Sequence, residues 1–204
     1  MLIKTLVVGP IETNCYVVTD ETTLDCAVID PGDESNTILD YIEGNKLKCS
    51  AVMLTHAHFD HVGAVQAVLE ATGARFYMSE KELETLKNGG SGRFQPPEGT
   101  TFYKEGDTVE VGGLSFKVMA TPGHTTGGVT LVCGDALFTG DTLFRGSCGR
   151  TDFPGGDMRV ELASLKRLAN LEGDYEVYPG HAESSMLSIE RAHNPYMRHA
   201  IEKM

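Results

Sequence analysis

The stretch at residues 55–61, THAHFDH, is the feature that most constrains this chain of 204 residues. Three of the chain's seven histidines and one aspartate lie in it with the spacing H-x-H-x-D-H. An apolar run at residues 51–54 precedes it and a helical apolar pattern follows it. The sequence therefore predicts a loop that joins a buried strand to a helix, and functional side chains concentrate on such loops.

The spacing within this loop predicts two directions for its side chains. Residues two apart in an extended segment point the same way, so His56 and His58 are expected to converge on one point. Asp60 and His61 lie at the turn into the helix and are expected to point to a second position about 3.5–4 Å away, the usual separation of paired metal ions. Four donors from one loop do not easily surround a single ion, but they can supply half of two sites.

Three further candidate ligands lie outside this loop. His124 occurs in TPGHTTGG, Asp141 in FTGDTLF and His181 in VYPGHAE. Each follows a predicted strand and lies beside glycine or proline, which places it at a strand end. We predict that these residues complete the metal centre. Thr55 and Thr142 are expected either to support the ligands by hydrogen bonds or to structure their own turns.

The apolar periodicity predicts two halves, each with strands first and a mixed section after them. The predicted strands are residues 2–8, 15–19, 26–30, 51–55, 109–111, 114–119, 129–132, 136–139 and 176–178. The predicted helices are residues 35–43, 61–72, 79–87, 159–171 and 182–192, and residues 88–100 are a predicted loop. Two sheets packed face to face with helices outside, an αββα sandwich of the α+β class, is the simplest architecture. We expect one domain over residues 1–204, in which residues 182–204 form a short C-terminal helix and a tail that Asn194-Pro195 opens.

Composition excludes several classes of partner. A net charge of -12 repels phosphate backbones and anionic membranes. No apolar stretch approaches the roughly 20 residues of a membrane helix, and the N-terminus lacks an export signal pattern. The five cysteines form no C-x-x-C pair, which argues against a disulfide framework and against a cysteine zinc site. We expect a cytoplasmic protein with a small-molecule substrate and no nucleic-acid or membrane partner, and the oligomeric state stays open.

The loop motif followed by a later histidine, aspartate and histidine resembles the metallo-β-lactamase superfamily, over nearly the whole chain. The resemblance implies the αββα fold and two metal sites. The first would consist of His56, His58 and His124, the second of Asp60, His61 and His181, and Asp141 would bridge them. Imidazole and carboxylate ligands suit two zinc ions, with iron or manganese as alternatives.

Residues 140–157, GDTLFRGSCGRTDFPGGD, are similar to the glyoxalase II (hydroxyacylglutathione hydrolase) branch of that superfamily and to its short relatives. TPGHTTGG, YPGHAE and NPYM fit the same branch. The resemblance implies hydrolysis of a small thioester, typically S-D-lactoylglutathione, by a metal-bridging hydroxide that attacks the carbonyl. Metal binding lowers the pKa of water from near 16 to about 7. Asp60 would also orient the nucleophile, and Asp141 would bridge the ions.

The chain differs from that branch in the residues that would contact the substrate. Only 23 residues follow His181, where the branch has a helical extension with basic glutathione contacts. Arg150 and Asp152 stand where the branch has a lysine and a tyrosine. We expect Arg150 to bind a substrate carboxylate and Asp152 to pair with Arg150 and shape the loop. Other candidate basic contacts are Arg191, Arg198 and Lys203.

CGRTDF also resembles the persulfide dioxygenases, in which two histidines and an aspartate hold a single iron. The corresponding residues here would be His56, His124 and Asp141, with open positions for oxygen. The β-lactamase branch is disfavoured because no export signal is recognisable, and the RNA-processing branch because of the acidic charge. A non-enzymatic role is disfavoured because every expected ligand is present. The sequence thus predicts a hydrolase, with the dioxygenase as its alternative.

Overall fold

Two six-stranded mixed β-sheets form the frame of the protein in a computed structural model that describes residues 1–89 and 94–203. The first sheet contains, in spatial order, β1 (Leu2–Val8), β2 (Thr13–Thr19), β3 (Asp25–Ile29), β4 (Lys48–Met53), β5 (Arg75–Ser79) and β6 (Thr101–Tyr103). The second contains, in spatial order, β7 (Thr108–Val111), β8 (Leu114–Ala120), β9 (Val129–Cys133), β10 (Ala136–Gly140), β13 (Glu176–Pro179) and β14 (Ser185–Met186). A separate two-stranded ribbon is formed by β11 (Leu143–Phe144) and β12 (Ser147–Cys148).

Helices connect the parallel strands of both sheets, because parallel neighbours need a crossover. Strands β3 to β6 are parallel, and so are β10 and β13, while the other neighbours within each six-stranded sheet are antiparallel. The helices are α1 (Ser35–Gly44), α2 (Phe59–Val62), α3 (Val65–Thr72), α4 (Glu82–Lys87), α5 (Met158–Ala169), α6 (Leu187–His193) and α7 (Pro195–Lys203). Within residues 1–89 and 94–203, no helix has the length and apolar content needed to cross a bilayer.

The apolar side chains divide into three layers, as the alternation along β3 illustrates. Cys26 and Val28 face outward and pack with the helices α1, α2 and α3. Ala27 and Ile29 face inward and pack against strands of the second sheet. A third cluster joins the outer face of the second sheet to α5, α6 and α7. Helices therefore cover both outer faces, and the predicted αββα sandwich is confirmed.

Several predicted elements have different bounds in the structure. The strands β5 and β6 were not predicted, because short runs of five and three residues depend on their neighbours for strand formation. The predicted helix 61–72 is split into α2 and α3, and the predicted helix 79–87 begins only at Glu82. The predicted helix 182–192 begins at Leu187, because Ala182 has a φ of 67° and residues 185–186 pair with β13. Of the predicted loop 88–100, residues 94–100 form neither helix nor strand, and residues 90–93 lie outside the described residues.

The expected C-terminal tail is wrong, because residues 195–203 form the helix α7. The side chain of Asn194 accepts hydrogen bonds from the backbone N–H groups of Tyr196 and Met197, at 3.0 and 3.1 Å. Asn194 thus caps the helix, and Pro195 occupies its first turn, where proline is tolerated. The buried Met197 and Ala200 attach α7 to the outer face of the second sheet.

Arg191 joins two of these outer helices. Its guanidinium donates to the carbonyl oxygens of Ala169 at 2.9 Å and Gly173 at 2.7 Å, and also to that of Leu171. These carbonyls lie at and after the end of α5, where no further helical N–H groups are present to donate to them. The Arg191 side chain is therefore engaged in holding α6 to α5 and is not available to a substrate, contrary to its candidate role.

We expect Arg191→Ala to lower the free energy of unfolding by about 1–3 kcal/mol, because three backbone carbonyls lose hydrogen bonds from a charged donor. Arg198→Ala is the control, since its exposed pair with Glu202 at 3.4 Å is worth about 0–1 kcal/mol. Urea unfolding at a fixed metal concentration measures both variants. Equal losses in the two would contradict the role given to Arg191.

Candidate metal centre

The predicted ligands converge at one edge of the sandwich, where strands of both sheets end. Residues 56–61 follow β4 of the first sheet and run from a short loop into α2. His124, Asp141 and His181 follow β8, β10 and β13 of the second sheet. The fold therefore brings together residues that are more than a hundred positions apart in the chain.

Three buried histidines form the first cluster. His56, His58 and His124 each offer a ring nitrogen, and these atoms all lie within 4.8 Å of one another. His58 Nδ1 is 2.8 Å from His124 Nε2. Three imidazoles that face a common point can supply three of the four ligands of a tetrahedral zinc ion.

The second cluster contains Asp60, His61 and His181, whose ligand atoms also lie within 4.8 Å of one another. The Asp60 Oδ2 atom is 3.1 Å from His181 Nε2 and 3.4 Å from His61 Nε2. Thr13 at the start of β2 donates a hydrogen bond to the same Asp60 oxygen at 3.1 Å. This hydrogen bond fixes the orientation of the carboxylate.

The carboxylate of Asp141 lies between the two clusters. Its Oδ1 atom is 3.4 Å from His61 Nε2 of the second cluster, and its Oδ2 atom is 3.4 Å from His124 Nε2 of the first. Gly180 makes this position possible, because a Cβ atom there would lie 2.2 Å from Asp141 Oδ1. One carboxylate thus presents an oxygen to each cluster, as a bridging ligand must.

Buried polar atoms without hydrogen-bond partners indicate whether the predicted ligand residues fit metal ions. Among the described residues, His56 Nε2, His61 Nε2 and Asp141 Oδ1 are buried and lack a hydrogen-bond partner. Each such group costs about 1–3 kcal/mol when it stays unpaired in the interior. A cation between them would remove that cost, so the residues fit divalent ions. The donor set suits zinc, iron and manganese alike.

Hydrogen bonds to the opposite ring nitrogens orient four of the five histidines. The partners are Thr55 Oγ1 for His56 (3.1 Å), Asp30 Oδ2 for His61 (3.1 Å), the Arg150 carbonyl for His124 (2.6 Å) and the Ile11 carbonyl for His181 (3.2 Å). Each leaves Nε2 directed toward the cluster. Such partners fix the ring orientation and increase ligand basicity.

Asp30 is a functional residue that sequence reasoning missed. It directly follows β3 and is buried. Its carboxylate accepts hydrogen bonds from the Thr55 amide at 2.7 Å and the Thr55 hydroxyl at 2.6 Å. The same carboxylate faces the His61 ring. The available signal was an aspartate directly after a buried strand, before the Pro31-Gly32 turn. Thr55 supports the ligands, and Thr142 donates to the carbonyl and hydroxyl oxygens of Thr121, which lies in the segment that leads to His124.

Burial keeps the imidazoles of the first cluster neutral. It holds the pKa of His56 well below its ordinary value and lowers the pKa of His58 to about 4. The pKa of His124 is lowered for the same reason, although Asp141 opposes the shift. Neutral imidazoles have the lone pair that a metal ion needs.

In the second cluster, neighbouring charges outweigh burial in setting the pKa values. Burial opposes protonation of His61, but Asp141 and Asp30 together raise its pKa well above the ordinary value. Burial alone would raise the pKa values of Asp60 and Asp141, yet neighbouring histidines lower both. The two carboxylates are therefore ionised at neutral pH and attract a cation.

A cavity of about 720 Å³ opens above both clusters. The ligand side chains form one part of its lining, and apolar side chains form another, namely Ile11, Phe59, Phe144, Phe153 and Pro154. This volume and this mixture of apolar walls with a few polar groups are typical of small-molecule sites.

Arg150 lines this cavity and forms an exposed ion pair with Asp152, which lies outside the lining. Two nitrogens of Arg150 donate to the two Asp152 oxygens, each at 2.6 Å, so the expected pairing is present. The guanidinium also lies 4.0 Å from the centre of the Phe153 ring. Lys203 lines a separate groove with residues of α5, and Arg198 pairs with Glu202.

The chain is similar to a known protein family and to several individual proteins. The family described as the Metallo-beta-lactamase superfamily matches residues 8–181. Hydroxyacylglutathione hydrolase GloC of Haemophilus influenzae is 31% identical, over 97% of this chain and 98% of its own length. The crystal structure of the BLEG-1 B3 metallo-beta-lactamase is 34% identical, with a TM-score of 0.86, and covers 96% of this chain and 99% of its own.

Two further crystal structures are similar over almost their whole length. TTHA1623 in a di-iron-bound form is 37% identical, with a TM-score of 0.84, and covers 95% of this chain and 99% of its own. ETHE1 from Myxococcus xanthus is 30% identical, with a TM-score of 0.83, and covers 99% of this chain and 91% of its own. Proteins with several different names thus share one fold, so the fold alone does not identify the substrate.

We expect Asp30→Asn to weaken metal binding in the Asp60, His61 and His181 cluster by about 10–100-fold, because His61 loses the carboxylate that orients it. Competition with a chromophoric chelator measures the affinity, and circular dichroism checks that the variant is folded. The exposed Asp33→Asn, three residues away, is the control and should bind metal normally. Unchanged affinity in Asp30→Asn would refute the orienting role.

Proposed function

Because the chain belongs to the metallo-beta-lactamase superfamily, a group of metal-dependent enzymes, we propose that it hydrolyses a small thioester of the S-D-lactoylglutathione type in the cytoplasm, with two divalent ions. The observation that carries the proposal is the Asp141 carboxylate, with one oxygen facing each cluster. The 31% identity to a hydroxyacylglutathione hydrolase supports the thioester class.

The ligand set suits hydrolytic chemistry. Two divalent ions held there would supply hydroxide near neutral pH and positive charge for a developing oxyanion. The chain's own share is to hold the ligands still and to direct the nucleophile. Asp60 lines the cavity and is held by Thr13, so it is placed to accept a hydrogen bond from an attacking water.

A thioester suits this cavity for two chemical reasons. Its carbonyl is more electrophilic than that of an amide, and a thiolate leaves without first taking up a proton. The reaction therefore needs no general acid on the leaving-group side. The apolar wall of Phe59, Phe144 and Phe153 limits water around the reacting carbonyl and can cover the carbon atoms of the substrate.

Arg150 is the proposed contact for a substrate carboxylate. Its fork of donors matches a carboxylate in two hydrogen bonds, and Asp152 currently accepts both. A substrate carboxylate must therefore compete with Asp152. Both side chains are exposed, so this exchange involves little burial of charge.

We expect Asp141→Ala to reduce thioester hydrolysis to the level of chelator-treated protein, because each cluster loses the oxygen that faces it. Metal content and kcat/KM are measured on the same preparation. Asp135→Ala changes an exposed aspartate just before β10 and should leave both quantities unchanged. Full activity of Asp141→Ala would rule out the bridging role.

The proposed function is tested by a hydrolysis screen of acyl thioesters with different thiols, on protein of measured metal content. We expect turnover of at least one hydroxyacyl thioester, loss of activity with a chelator and recovery when metal is restored. Failure to hydrolyse any thioester while both clusters are filled would overturn the proposal.

We expect Asp152→Ala to lower KM for S-D-lactoylglutathione by about 2–5-fold, since a substrate carboxylate would no longer compete with Asp152 for the Arg150 guanidinium. A thioester of an uncharged thiol is the matched control, and its KM should stay constant. Steady-state kinetics with both substrates measures the difference. An equal change in both KM values would mean that Arg150 does not bind a substrate carboxylate.

Persulfide dioxygenase activity is the second candidate, since ETHE1 from Myxococcus xanthus is similar over almost its whole chain. In that case His56, His124 and Asp141 would hold a single iron. Metal analysis and oxygen uptake with a persulfide distinguish the two. About one iron per chain together with oxygen consumption would replace the hydrolase proposal.

A further inference from the structure

The side chain of Glu82 lies fully buried behind the three-histidine cluster. Glu82 is the first residue of α4, and its carboxylate accepts three hydrogen bonds. Oε2 accepts from the Ala57 amide at 2.8 Å, and Oε1 accepts from the Thr125 hydroxyl at 2.6 Å and the Gly127 amide at 2.9 Å. Both carboxylate oxygens are therefore engaged.

These donors lie in the two segments that carry the three histidines. Ala57 lies between His56 and His58 in the loop after β4 of the first sheet. Thr125 directly follows His124 in the loop after β8 of the second sheet. One side chain from a third segment thus fixes the two halves of the cluster relative to each other.

The backbone is shaped for this contact. A Cβ atom at Gly127 would lie 2.4 Å from the Glu82 nitrogen and 2.8 Å from Glu82 Oε1, so only glycine allows the approach. A buried carboxylate is a costly way to fill interior space, and an apolar side chain of similar volume is often as stable. The carboxylate therefore calls for an explanation other than packing.

The second cluster has different supports. His61 is oriented by Asp30, His181 by the Ile11 carbonyl, and Asp60 by Thr13. None of these hydrogen bonds includes Glu82. Asp30 also reaches the first cluster through Thr55 and His56, but the support given by Glu82 belongs to the first cluster alone.

We propose that Glu82 is a positioning residue that assembles the His56, His58 and His124 cluster before a metal ion binds, and that the second cluster forms independently of it. This inference rests on the two-ion centre proposed above, but not on the identity of the substrate. The hydrogen bonds of Glu82 reach no ligand side chain, and Glu82 acts through the backbone of the ligand segments and the Thr125 hydroxyl.

The test is a zinc titration of Glu82→Gln with labelled histidine side chains followed by NMR, at buffered free zinc. We expect the His58 and His124 signals to respond at about 10–100-fold higher free zinc than in the unaltered chain. The His181 signal should respond at unchanged free zinc. Glu84→Gln, an exposed glutamate on the same helix, is the matched control and should behave as the unaltered chain does.

A second pair of variants keeps the test independent of the fold of Glu82→Gln. Thr125→Val removes one donor to Glu82 and retains the carboxylate, so it should weaken the same cluster to a smaller extent. Thr125→Ser retains the hydroxyl and should restore binding. Equal weakening of both clusters, or no change in either, would overturn the role of Glu82. Absence of zinc binding by the unaltered chain would overturn the metal centre itself.

Discussion

The position of the Asp141 carboxylate between two groups of imidazoles is the constraint on which the rest of the site depends. A buried carboxylate is costly unless positive charge or donors surround it. Here His61 lies 3.4 Å from one oxygen and His124 lies 3.4 Å from the other. β10 must end at this point, Gly180 must leave space beside it, and the loop after β4 must reach across from the other sheet.

Hydrogen bonds between the sheets hold this edge in place. The Thr55 carbonyl accepts from the Val129 amide at 2.9 Å, which joins the histidine loop to β9. Asn14 donates to the Pro179 carbonyl at 3.0 Å, next to the segment that carries His181. The apolar layer between the sheets adds rigidity beneath these contacts. The ligands are therefore positioned by the packed frame rather than by the loops alone, as hydrolysis requires.

The sequence was sufficient to predict the architecture and the residues that come together at the site, but not the supporting contacts. The spacing of His56, His58, Asp60 and His61 is local, so simple strand and turn geometry predicts where these side chains point. Glu82 and Asp30 act on residues 25 positions away, and nothing in their own neighbourhood marks the distant donors. The helix α7 was missed although Asn194-Pro195 carries a capping signal, because that pair also opens turns.

Each cluster takes ligands from both sheets, and this has a mechanical consequence. His56 and His58 belong to the first sheet and His124 to the second, and Asp60 and His61 face His181 in the same way. Any movement that parts the two layers splits both sites at once. Bound ions would connect the two sheets at this edge, so metal binding would oppose separation of the sheets. The lifetime of the folded chain would then follow the metal supply of its surroundings.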